Sequence, residues 1–151
     1  MKRLNHNARV LVTDGGRAIV FRNAGQVGQP DLQQFKAYHQ DNPPTHEQGT
    51  DKPSRVMESV GQRRSSAEQP DYHQEAEDRF IRDIAADMEK DLKAGEFAEL
   101  IVVAPPVALG VYRKAASQVL SRATLKEINK DLTKHNASAI AEIVVKALEG
   151  D

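Results

Sequence analysis

Residues 99–113 read Glu-Leu-Ile-Val-Val-Ala-Pro-Pro-Val-Ala-Leu-Gly-Val-Tyr-Arg, and this passage restricts the chain to few architectures. Leu100, Ile101, Val102, Val103 and Ala104 are consecutive apolar residues, mostly β-branched, as a strand covered on both faces requires. Pro105 and Pro106 stop the strand and suit the first turn of a helix. That helix is expected over 107–120, with Leu109, Tyr112, Ala116 and Val119 turned inward. A buried strand that feeds a covering helix marks an α/β domain.

Other segments fill in the sheet. Arg9-Val10-Leu11-Val12-Thr13 and Arg17-Ala18-Ile19-Val20-Phe21-Arg22 flank Asp14-Gly15-Gly16, whose glycines can take positive φ, so the pair reads as a hairpin. Residues 32–39 alternate without a purely apolar face and fit an edge strand. Ala76, Phe80, Ile84, Met88 and Leu92 recur every fourth residue after a capping-box-like start at Asp71 and Gln74. Gly95 is the natural stop for that helix. Residues 124–132 have Leu125, Ile128 and Leu132 at helical spacing, although a strand is the alternative. A final helix opens near Asn136, turns Ile140, Ile143, Val144, Ala147 and Leu148 to one face, and ends at Gly150.

Between these elements, residues 40–70 turn to Pro, Ser, Gln, Gly and charge. Such a stretch cannot bury enough apolar surface to offset its ordering entropy alone. It is expected to be a mobile loop, either functional or disordered.

With 151 residues, 39% apolar and 28% charged, the chain suits one domain over 1–151. The net charge of −1 provides no global basic field, so any nucleic-acid binding must come from a local patch. The absence of cysteine rules out disulfides and thiolate zinc sites. Residues 1–10 lack a signal-peptide core and no long apolar run occurs, so a cytoplasmic location without membrane insertion is expected.

Several phrases in order resemble the bacterial host attachment protein family: Asp14-Gly15 with Ala18, Asp51-Lys52-Pro53-Ser54-Arg55, Ala104-Pro105-Pro106 with Leu109-Gly110 and Arg113, and Lys130-Asp131-Leu132-Thr133. Where the family tends to have Gly before the arginine matching Arg55, this chain has Ser54. The resemblance implies a mixed five-stranded sheet with three covering helices, ribonuclease-H-like and similar to the middle domain of archaeal and eukaryotic release factors and Pelota. It also implies that the last strand ends in Lys130-Asp131-Leu132-Thr133. The periodic apolar positions add that antiparallel strands come first, that Leu100–Ala104 pairs in parallel beside the first strand, and that Phe80, Ile84 and Met88 pack across it.

Function does not follow from fold. The leading expectation is a noncatalytic binding module of this family acting on the ribosome or tRNA through its 40–70 loop. Lys52, Arg55, Arg63 and Arg64 form the basic cluster of that loop, and together with Arg113 they are the candidate binding residues. Asp51, Glu58 and Glu68 nearly balance the loop cations, so a solvated loop is the bland alternative.

The opposing expectation is a peptidyl-tRNA or RNA hydrolase using Gln62 or Asp14. Release factors carry a Gly-Gly-Gln tip, and Gly61-Gln62 stands in the comparable loop with Val60 in place of the first glycine. A Gly-Gln pair discriminates poorly. A metal nuclease needs converging carboxylates, and the buried strand ends in Ala104-Pro105-Pro106 without one, so Asp14 reads more simply as a hairpin residue. The five histidines are scattered and no glycine pattern cradles phosphate, so neither a metal nor a nucleotide cofactor is expected. An adhesin acting at the cell surface conflicts with the absence of a secretion signal.

Overall fold

A computed structural model describes residues 2–40 and 72–150. In these residues the elements follow the order β1 (Arg9–Thr13), β2 (Arg17–Asn23), β3 (Leu32–His39), α1 (Tyr72–Lys93), β4 (Leu100–Ala104), α2 (Pro106–Ala115), α3 (Gln118–Ala123), β5 (Thr124–Asn129) and α4 (Ala137–Glu149). The strands form one mixed sheet in the order β3-β2-β1-β4-β5. β1 and β2 pair antiparallel with Leu11 opposite Val20, whereas β1 and β4 pair in parallel with Leu11 opposite Val102. The mixed five-stranded sheet and the parallel partner of β1 match the expectation.

Successive residues of a strand point to opposite faces, so the all-apolar β1 and β4 need cover on both sides. On one face Leu11, Val20, Leu100 and Val102 pack with Phe80, Ile84 and Met88 of α1, Leu109 and Tyr112 of α2, and Leu120. On the other, Val10, Val12, Ile101 and Val103 meet Ile140, Val144 and Leu148 of α4, joined by Leu4 and Leu132. Each such side chain contributes roughly 1.5–3 kcal/mol by leaving water. β4 is an interior strand between β1 and β5, and all five of its residues are buried.

Helix ends follow their sequence signals. Gly95 takes φ +83°, and the bonds Gly95 N to Leu92 O and Glu96 N to Asp91 O, each 3.0 Å, close α1 in a Schellman motif. The Asn136 side chain accepts from Ala139 N at 2.8 Å and caps α4. The expected cap residue Asp71 lies outside the described residues, as does nearly all of the 40–70 loop.

Three expectations are corrected. Among the described residues four helices cover the sheet, because the helix expected over 107–120 is two. Ser117 breaks it by accepting from Leu120 N at 3.1 Å, which starts α3 and ends the previous helical run. The break rotates the stripe, so Val119 is 44% exposed and Leu120 is buried in its place. Thirdly, β5 stops at Asn129 instead of continuing through Lys130-Asp131-Leu132-Thr133. Those residues turn toward α4, and Leu132 enters the core from the turn.

Candidate functional site

Parallel strands β1, β4 and β5 end together at Thr13, Ala104 and Asn129. In open α/β sheets, ligands tend to bind at such carboxyl ends, where the chain leaves neighbouring strands in opposite directions. That condition is met between β1, which turns back into β2, and β4, which crosses through α2 and α3 to β5.

Asp14 begins the turn after β1. Its Oδ1 accepts from Gly16 N and Arg17 N, both at 2.9 Å, while Gly15 takes φ +97°. A Cβ on Gly15 would stand 3.2 Å from the Glu77 carboxyl, so the turn is closed on that side by α1. Thr13 Oγ1 donates to Arg17 O at 2.8 Å and tightens the same hairpin. Asp14 therefore acts as a turn residue through Oδ1, and its Oδ2 lies 3.4 Å from Thr133 Oγ1.

Thr133 comes from the β5 to α4 connection. Its hydroxyl donates to Asp131 Oδ1 at 2.7 Å, and its backbone N–H donates to the same oxygen at 3.1 Å. These bonds, helped by the charges of Lys134 and Arg17, hold the Asp131 carboxyl below the usual carboxylate range. Arg17, Lys130 and Lys134 are themselves exposed. The edge thus offers three cations beside two carboxylates that are engaged in turns.

Gln40, the last described residue before 72, is held at this edge. Gln40 N donates to Gly16 O at 3.0 Å, and its Nε2 reaches Gly15 O at 3.2 Å. Glu77, in the second turn of α1, stands against the same glycine. Lys52, Arg55, Gln62, Arg63 and Arg64 lie outside the described residues.

Arg113 is elsewhere. It sits about 10 Å along α2 from the carboxyl edge, where its Nε donates to Glu127 Oε1 at 2.6 Å. The structure does not bring it together with Asp14. Sequence reasoning had missed Arg17, Lys130 and Lys134, whose common location follows only from the sheet order. Among the described residues, no group of three or more His, Asp or Glu side chains is placed to hold a metal ion. None of the described helices is long and apolar enough to cross a membrane.

The family described as "Protein required for attachment to host cells" matches residues 9–144. Among curated proteins none matches the chain. An archaeal translation termination factor of known structure is similar over 95% of this chain at 10% sequence identity, with a TM-score of 0.46. The chain spans 41% of that protein's length.

Proposed function

This chain belongs to the family of proteins required for attachment to host cells, and we propose that it works as a noncatalytic binding module for ribosomal RNA or tRNA. Its binding surface is the carboxyl edge of the sheet together with the cations of the 40–70 loop. The observation that carries this reading is the placement of exposed Arg17, Lys130 and Lys134 at the edge where Gln40 is hydrogen-bonded to Gly16, and the sequence after Gln40 carries Lys52, Arg55, Arg63 and Arg64. Cations gathered at one edge can neutralise backbone phosphates even when the whole chain is near neutral. An RNA partner of this kind places the protein's work in the cytoplasm, and the attachment phenotype is then an indirect consequence.

The hydrolase alternative asks Asp14 to activate water, but two backbone amides already hold its Oδ1. Its other catalytic candidate, Gln62, lies outside the described residues.

Sedimentation of the purified protein with ribosomes tests the proposal. Binding is expected at low salt and weakens as salt rises. Replacing Lys52, Arg55, Arg63 and Arg64 with Ala should flatten the logarithmic salt slope by up to about four. Absence of cosedimentation at low salt would remove the reading.

A further inference from the structure

A groove of about 740 Å³ runs along one flank of α4. Its apolar wall is built from Leu4, Val27, Pro30, Ala141, Val145 and Leu148. Val27 is 37% exposed, and Val145 is only half-buried. The lining also holds Lys2, Arg3 and Lys146 together with Asp31, Glu142 and Glu149. A small ligand with a single charged head finds no one-sign pocket here. A surface carrying both signs in matching order is the better complement.

That surface is present on the chain itself. Glu142 and Lys146 stand one helical turn apart on α4, and both are exposed. A Glu and a Lys at this spacing ordinarily pair along a solvated helix. Here neither side chain makes a hydrogen bond or an ion pair with any described residue. Ala137 and Ala141 keep the groove side of the helix low, so a second helix can approach closely.

We propose that the groove is filled by α4 of a second copy of this chain, with the two helices antiparallel about a twofold axis that crosses midway between Glu142 and Lys146. Such a contact is isologous. Glu142 then faces the partner's Lys146, and Lys146 faces the partner's Glu142, so the two unpaired charges of each copy are matched. The antiparallel arrangement also opposes the helix dipoles favourably. Val145 and Val27 leave water in the same contact, which supplies its apolar centre.

Sedimentation equilibrium on the full chain reads the association directly. The parent is expected to dimerise reversibly. Glu142→Lys alone and Lys146→Glu alone each set like charges against each other twice, and each should weaken the dimer about tenfold or more. The double variant Glu142→Lys/Lys146→Glu restores opposite pairs and should recover most of the parental affinity. Circular dichroism checks that each variant stays folded, as expected for exposed positions. A parent that remains monomeric at its highest soluble concentration overturns the proposal. A dimer indifferent to both single reversals, or one that the double variant fails to rescue, overturns it equally.

Discussion

Lys36 Nζ, on edge strand β3, stands 2.7 Å from Asp91 Oδ2 on α1. The same ammonium reaches Asp87 Oδ2 at 3.0 Å, and the Tyr38 hydroxyl donates to that carboxylate. One edge strand is thereby fastened to the long helix by groups from two successive turns of α1. Burial, followed by the Asp87 hydrogen bond and the charges of Asp87 and Asp91, pushes the Tyr38 phenol well above its ordinary value. Burial pulls Lys36 down, but hydrogen bonds from its ammonium to Asp91 and Asp87 outweigh this and raise it. Burial pushes Asp87 up, yet the hydrogen bonds from Tyr38 and Lys36 leave it below the usual carboxylate range.

A pH dependence follows with a definite sign. Tyr38 and Lys36 hold their protons more tightly when folded, so their contributions are complete below the ordinary tyrosine value and decline as pH rises above about 10. Tyr112, which burial pushes up to about 12, adds to the same alkaline decline. Asp87 acts oppositely: its contribution is present above about pH 4 and is lost as pH falls through its lowered value. Urea midpoints should therefore be flat near neutrality and fall on both sides. Tyr38→Phe is expected to cost about 1–2 kcal/mol and to reduce the alkaline fall. Alkaline limbs that superimpose for parent and variant would refute this assignment.

Central burial gives a second expected outcome. Val102 is 0% exposed and packs between α1 and the helices that follow β4. Val102→Asp would place an unpaired charge there, and the penalty of several kcal/mol is comparable to the whole stability of an ordinary domain. The variant should lose its cooperative thermal transition. A soluble Val102→Asp protein that melts cooperatively would show that β4 is not the core strand.

The elements governed by apolar pattern were legible in the sequence, because burial on one or two faces writes its period directly into residues such as Phe80, Ile84 and Val102. β5 was ambiguous for a physical reason: only Ile128 among its residues is buried, so no alternation marks it as a strand. The division between α2 and α3 depended on one hydroxyl, at Ser117, within an otherwise helical stretch. Less readable still was Arg9, which is 3% exposed between the rings of Phe35 and Phe97, with its guanidinium 4.5 and 5.5 Å from their centroids. Nothing local in the sequence says that a charged residue at the start of β1 will be buried by aromatics far along the chain. The candidate site was legible in part, through the Asp14 turn, whereas Arg17, Lys130 and Lys134 meet only after the sheet is assembled, and the loop cations lie outside the described residues.

The connection between β2 and β3 supplies a third test. Buried Asn23 uses its amide to bind Leu4 O and Asn5 O, while its Oδ1 accepts from Gly25 N at 3.0 Å and Asp31 N at 2.9 Å. These bonds draw the connection so tight that a Cβ on Gly25 would fall 2.1 Å from Gln29 O. Because the obstacle is backbone, it cannot swing aside as a side chain would. Gly25→Ala should lower stability by about 2–3 kcal/mol, seen as a fall in the denaturant midpoint at unchanged slope. A midpoint equal to the parent's would mean that the connection is looser than its hydrogen bonds indicate.

Asp14 separates the binding reading from the hydrolytic one, since the two assign different work to the same carboxylate. As a turn residue it needs only an acceptor at Oδ1 for Gly16 N and Arg17 N, which an amide side chain also provides. Asp14→Asn should then remain within about 0.5 kcal/mol of the parent, whereas Asp14→Ala, which strands both N–H groups, should lose about 1–2 kcal/mol. Neither change removes a cation, so ribosome cosedimentation should persist in both variants. A hydrolase using Asp14 as a base would behave otherwise, because Asn cannot take a proton from water. Release of peptide from peptidyl-tRNA by the parent, abolished in the folded Asp14→Asn variant, would overturn the noncatalytic reading and make this turn an active site.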